Sequence, residues 1–367
     1  MGVMIVRTLH RYFALRFLSS AAAVLAFMFA IIVMLDYVEM MRRTADLPAA
    51  SALLVAKVSF FRVPQVTERI LPFAVLVAAM ASFLAMSRRL ELVIARAAGV
   101  SAWQFVAPAV ITALLLGFLA TAAYNPLAAA LQEQSKRLEA ELFGENRTGL
   151  ETSAGGGFWV LQRSEDGRSI MNATSSQQQG LVLGGVSVFQ FDQSGRFKQR
   201  VGAKTAMLEN GHWRLRDARI YQVDKPPVVA GEYLVKTNLT AQQVSESFST
   251  PETVPFWSLP TYIDRANKAG VSAAGYRLQY QKLLAQPFQL ASMVLLAAAV
   301  SLRFFRFGGV PKMVMSGILG GFFLYVMSKV MDDMAKADLV HPMISAWMPV
   351  VLASLTGLLT LLYQEDG

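Results

Sequence analysis

Six stretches of the chain carry no Asp, Glu, Lys or Arg: residues 17–35, 70–87, 97–132, 283–302, 313–328 and 339–364. A hydrocarbon core about 30 Å thick takes roughly 20 apolar residues at a helical rise of about 1.5 Å each. The pattern therefore predicts a spanning helix in every stretch, the fifth by running past Lys329 through Val330 and Met331. Between the third and fourth the rhythm changes. Segments 158–163, 185–191, 212–216 and 232–237 alternate or are rich in β-branched and aromatic residues, and the Asp-Gly and Asn-Gly pairs at 166–167 and 210–211 are hairpin signals.

The expected fold is an α+β membrane protein, with six transmembrane helices (three plus three) and an inserted antiparallel β-domain, a sandwich or open roll. The expected domains are 1–142 for spans 1–3, 143–257 for the β-domain and 258–367 for a linker helix with spans 4–6. The linker is predicted as helix from Ser258 to Leu284, with Leu259, Tyr262, Ile263 and Ala266 on one face.

Composition supports the membrane reading: 54% of residues are hydrophobic and 16% charged, against about 25% charged in soluble domains. With no cysteine, disulfides, thiolate metal sites and cysteine nucleophiles are excluded. The three histidines, His10, His212 and His341, lie far apart, and no metal site is expected.

Net charge is +9, distributed unevenly. Residues 1–142 hold 13 Lys+Arg and 8 Asp+Glu, residues 143–257 hold 12 and 11, and residues 258–367 hold 9 and 6. The near-neutral insert is unlike a nucleic-acid binder. With the N-terminus inside, nine Lys/Arg fall in cytoplasmic segments, including Arg88, Arg89, Arg303 and Arg306, against seven in short external ones. That positive-inside bias puts both termini in the cytoplasm and the insert outside. Arg7, Arg11 and Arg16 precede span 1 like the basic region of a signal peptide. An apolar run of 19 residues ending in Asp36-Tyr-Val-Glu39 instead predicts a retained helix.

Candidate chemistry is sparse. No GxxxxGK[ST] motif occurs, so a partner has to supply any ATP-driven work. No span carries a converging acid, base or metal set, which disfavours a lipid-modifying enzyme. Residues 87–99 place Leu90, Val93, Ile94 and Ala97 on one helical face, with Glu91 among Arg88, Arg89 and Arg96 and Gly99 as a stop. This is either an interfacial helix fixed by arginines or a coupling helix docking into a cytoplasmic ATPase, with Glu91, Arg88, Arg89, Leu92 and Arg96 as candidates. Arg42, Arg43, Lys136, Arg137 and Lys329 sit at external span ends, either as snorkelling cations or as a basic rim for an anionic lipid. Gly317 and Gly321 form a GxxxG pair suited to internal packing or to a moving helix interface.

Taken together, the three-plus-three spans, the external β-insert and the run Arg88-Arg-Leu-Glu-Leu-Val-Ile-Ala-Arg-Ala-Ala-Gly99 resemble the LptF/LptG permeases of the lipopolysaccharide export transporter. Tyr37-Val-Glu-Met-Met-Arg-Arg43 and Gly317-Ile-Leu-Gly-Gly-Phe-Phe-Leu-Tyr325 are similar to the LptG branch. The resemblance implies a heterodimer with an LptF-like permease, an LptB-like ATPase dimer contacted by Glu91, and an LptC-like membrane-anchored jellyroll protein. It implies lipopolysaccharide as substrate, the bacterial inner membrane as location, spans 1 and 5 as lateral gates, and no cofactor on this chain, with ATP and magnesium on the ATPase. It makes the insert a periplasmic antiparallel β-jellyroll-like domain, with Phe158, Trp159, Phe189, Phe191 and Trp213 as its lining or core residues. A membrane scaffold that signals to a cytoplasmic partner without moving lipid is the alternative.

Overall fold

The computed structural model describes residues 2–45, 51–143, 158–164, 167–177, 181–192, 196–209, 211–222, 225–237, 251–268, 273–307 and 309–366. Helix α1 is Gly2–Thr44, α2 Ala52–Arg88, α3 Glu91–Ala97, and α4 Ala102–Leu119, which continues through a π-turn at Ala120–Tyr124 into α5, Asn125–Phe143. After the insert come α6 (Leu259–Lys268), α7 (Ala274–Phe307), α8 (Val310–Lys336) and α9 (Pro342–Asp366). Six helical stretches are long and apolar enough to cross a membrane, as the charge-free runs predict.

The spans differ in enclosure. In its most apolar window α7 is 78% buried and is the central post, whereas α1 is 6% and α8 22% buried. Glycines set the closest approaches. A Cβ on Gly117 would lie 2.3 Å from the Pro287 Cα, so α4 and α7 touch backbone to backbone there. Gly317 and Gly321 seat α8 on Met80 and on Leu76 and Phe73 of α2, so the GxxxG pair packs within the chain.

At 37 residues, α2 is about 55 Å long and overshoots the bilayer at the end that carries the insert, here termed the outer end. There Met40 of α1, Val55 and Val58 of α2 and Leu142 of α5 form a small separate core. Arg62 on α2 pairs with Asp36 on α1 at 3.3 Å and also with Glu139 on α5, which gives the carboxylate at the end of span 1 a structural partner.

The insert is an antiparallel sheet of six strands in sequential order: β1 Phe158–Ser164, β2 Gly167–Gln177, β3 Val182–Phe191, β4 Phe197–Glu209, β5 His212–Gln222 and β6 Val228–Lys236. Strands β2 and β4 escape the four-segment reading because small and charged residues occupy their outer faces. Their inner faces, Met171, Ala173, Val201 and Ala206, are apolar and buried. Buried positions change phase midway, from Leu183 to Val186 in β3 and from Leu215 to Ala218 in β5. Those shifts coincide with left-handed backbone at Gly185 (φ 62°) and Asp217 (φ 54°). Irregularities aligned across neighbouring strands bend a sheet, and the bent sheet buries its own face around Trp213 and Leu215. Of the sequence-picked aromatics, Trp213 is core, Phe189 and Phe191 are half-buried, and the side chains of Phe158 and Trp159 lie outside the described set.

The exit from the sheet corrects one expectation. The linker is not one helix: α6 ends at Lys268, and Ala273 is non-helical before α7 starts at Ala274. Phe256 stacks on Tyr280 with ring centres 5.5 Å apart, and these rings join Val254, Leu259 and Leu283 in a cluster that holds the exit segment against α7.

Candidate functional site

Prolines inside helices leave carbonyls without their N–H donors, and two of these oxygens organise the outer end. Pro287 has no N–H for the Leu283 carbonyl, which accepts from the Thr121 hydroxyl at 2.9 Å. Pro126 has none for the Ala122 carbonyl in the π-turn, and that oxygen accepts from Trp257 Nε1 at 3.0 Å. Asn125 completes the junction: its amide donates to both oxygens of Glu68 at 3.0 and 3.1 Å, and its Oδ1 accepts from the Phe256 backbone at 2.8 Å. The exit of the β-domain is thus bonded directly to spans 2 and 3.

Beside this junction lies a cavity of about 450 Å³ between α2, α7, α8 and α9, reached by Met28 of α1. Phe73, Met293, Phe322 and Leu324 line its apolar part, and Arg69, Lys282, Lys329 and Lys336 supply cations. Three carboxylates answer them. Glu252, in the turn Pro251–Thr253, meets Arg69 at 2.5 Å and Lys336 at 3.5 Å. Asp332 holds Lys282 at 2.6 Å and Asp333 holds Lys329 at 3.3 Å. The Glu252 carbonyl also accepts from Gln65 Nε2 at 2.7 Å. Burial pushes the Glu252 carboxyl up, but Arg69, Lys336 and Lys282 outweigh it and hold the group below the usual carboxylate range. An apolar chamber with an exchangeable ionic rim suits an anionic amphiphile.

At the opposite, inner end α2 stops at Arg88, and Leu90 turns the chain with φ 60°. Glu91 then opens α3, where an acidic residue favours the helix N-terminus. Gly99 (φ 82°) closes it in a Schellman arrangement, with Val100 N donating to Ala95 O at 3.0 Å and Gly99 N to Arg96 O at 2.9 Å. Leu92 and Ala95 pack inward at 3% and 8% exposure, while Leu90 and Ile94 stay open at 59% and 66%. This corrects the expected role of Leu92: it is core, not available to a partner. Leu90, Ile94 and Ala97 of the predicted apolar face are exposed instead, flanked by exposed Arg88, Arg89 and Arg96. Glu91 is held within the chain, accepting from the Tyr12 hydroxyl at 3.0 Å and meeting Arg16 at 3.5 Å.

The family model described as lipopolysaccharide export system permease LptF/LptG matches residues 11–363, so spans, insert and α3 all fall inside it. The chain belongs to the LptF/LptG family. Among curated relatives, the lipopolysaccharide export system permease protein LptG of Escherichia coli K12 is 24% identical over 298 residues, covering 78% of this chain and 79% of that protein. The protein of the same name in Haemophilus influenzae is 20% identical over 363 residues, covering 95% and 96%.

Within this family member, the cavity includes one of the five cations picked from sequence, Lys329. Arg42 and Arg43 both pair with Glu39 on α1 at 2.8 Å. Arg137 pairs with Glu133 on α5 at 2.6 Å, and Lys136 beside it is exposed. These four do not line this cavity. Sequence reasoning missed Arg69, Lys282, Lys336 and Glu252. The available signal was a charge just beyond an apolar run (Arg69 and Lys282) and an acid between two prolines.

Proposed function

We propose that the chain is a non-catalytic permease subunit of an ATP-driven exporter that takes lipopolysaccharide from the outer leaflet of the bacterial inner membrane and hands it to its own periplasmic β-domain. The observation that carries this reading is the cavity, an apolar chamber rimmed by Arg69, Lys282, Lys329 and Lys336 and roofed by the exit of the β-domain. A multi-acyl, phosphate-bearing lipid requires such a combination.

The remaining parts follow from the same reading. The insert is periplasmic, and both termini with α3 are cytoplasmic. The open Leu90–Ile94 face with its arginines is the docking surface for an LptB-like ATPase dimer, which carries the ATP and magnesium. The open faces of α1 and α8 meet an LptF-like permease and gate lateral entry, and the β-domain passes cargo to an LptC-like protein. Purifying the tagged chain from its native membrane, then identifying co-purified subunits and bound lipid by mass spectrometry, tests the assembly. Depletion should leave lipopolysaccharide in the inner membrane. Unchanged surface lipopolysaccharide after depletion sinks the reading and leaves the scaffold alternative.

A further inference from the structure

We propose that Arg69, Lys282 and Lys336 form a phosphate-binding site that the chain's own Glu252 occupies in this state, so that an arriving phosphate group displaces Glu252 and loosens the turn Pro251–Thr253, while the Phe256 and Trp257 bonds still hold the exit to span 3. The source of the phosphate as a lipid headgroup rests on the permease reading; the site itself rests on the geometry.

Three facts converge. Arg69 and Glu252 lie 183 residues apart and on different domains, yet their side chains meet at 2.5 Å. The same carboxylate reaches Lys336 on α8 through its other oxygen at 3.5 Å, so a single anion bridges two spans. Both cations and Glu252 face the cavity, from which a competing anion can approach. The environment keeps Glu252 ionised, as a stand-in anion has to be.

The chemistry favours exchange. A carboxylate offers two oxygens and one charge, whereas a phosphate monoester carries up to two charges and three oxygens for the guanidinium fork of Arg69 and the Lys336 ammonium. Lys282, tied to Asp332 at 2.6 Å, stays in place to receive a third oxygen. Once displaced, Glu252 no longer ties the turn Pro251–Thr253 to Arg69 and Lys336, and its carbonyl keeps the Gln65 bond. Phosphate arrival is thereby coupled to loosening of that turn, and by linkage the latch weakens phosphate binding to the same degree.

The test uses the full chain in its native complex, reconstituted in nanodiscs of pure phosphatidylcholine or of phosphatidylcholine with phosphatidic acid, and separately titrated with inorganic phosphate. Hydrogen exchange over residues 251–258 reads the latch. Phosphatidic acid should speed exchange there in the wild type. Glu252→Gln, which removes the competitor, should bind phosphatidic acid about tenfold more tightly, within the range of such couplings. Lys336→Gln and Arg69→Gln should each bind it about tenfold more weakly; two variants on different helices guard against one misfolding. A response to phosphatidic acid alone assigns the site to a lipid headgroup, and a response to both assigns it to phosphate in general. No change in affinity on Glu252→Gln, or no response to either anion, overturns the proposal. If anion binding holds but depletion leaves surface lipopolysaccharide unchanged, the export reading fails and the site stands.

Discussion

Tyr12 on α1 donates its hydroxyl to Glu91 on α3 at 3.0 Å, joining the start of span 1 to the short helix that presents the bare Leu90–Ile94 face. Arg16 lies beside both, donating to the Tyr12 oxygen at 3.1 Å and meeting Glu91 at 3.5 Å. Span 1 is the least enclosed of the six, so this contact is one of the ties between that span and α3. Tyr12→Phe keeps the ring and removes the bond. We expect faster hydrogen exchange over residues 91–97 and ATP hydrolysis less tightly coupled to export, at a stability cost of about 1 kcal/mol. Wild-type exchange in this variant would show that Glu91 is fixed by other means.

Arg62 is expected to be the dominant ionic support of the outer end. Arg62→Ala strands Asp36 and Glu139, and leaving partly buried charges without a partner costs about 1–3 kcal/mol or more. The thermal midpoint in detergent should fall, and Asp36→Asn added to Arg62→Ala should recover part of the loss. A double variant no better than the single one would deny the pairing.

Gly117 and Gly317 make a matched comparison. A methyl on Gly117 meets the Pro287 backbone at 2.3 Å, whereas one on Gly317 meets the movable end of Met80. Gly117→Ala should cost about 1–3 kcal/mol or more by overpacking and lower the yield of folded protein, while Gly317→Ala should be milder. Equal losses would mean that α4 and α7 can separate freely.

For Glu252 the folded-state carboxyl titrates below its ordinary value of 4.5. Its pairing therefore contributes stability that is present above about pH 4.3 and is lost as the pH falls through the lowered folded-state value. Thermal midpoints of wild type and Glu252→Gln should differ at pH 7 and converge once the pH has fallen below the lowered folded-state value. A gap that persists under acid would assign the difference to packing rather than charge.

Trp213 is fully buried at the centre of the bent sheet. Trp213→Ala should destabilise the insert by about 3–5 kcal/mol, seen as protease sensitivity of residues 158–237 while the helical bundle stays intact. Resistance equal to wild type would place the core elsewhere.

The candidate site was only partly legible. Lys329 was found because it interrupts an apolar run, and a charge at that depth is costly enough to stand out. Arg69 and Lys282 border apolar runs in the same way, but nothing local distinguishes them from Arg42 or Lys136, which turn to neighbours on their own helix or to solvent. Glu252 looks like one polar residue in a proline-rich exit. The apolar stripe of α3 is legible from its spacing, but the packing of Leu92 and Ala95 on the other side into the core is not, because the turn at Leu90 decides how the short helix sits.

By itself the sequence determined the number of spans, the antiparallel insert and the stop at Gly99, because each rests on local chemistry: no charge across about 20 residues, alternation by two, and a glycine free to take positive φ. Only the tertiary structure decided that Glu252 meets Arg69 and Lys336, that Gly117 admits Pro287, and that the sheet bends at Gly185 and Asp217. Those outcomes depend on which helix faces approach and how closely, and close-packed shape between residues far apart in sequence leaves no local pattern from which to read them.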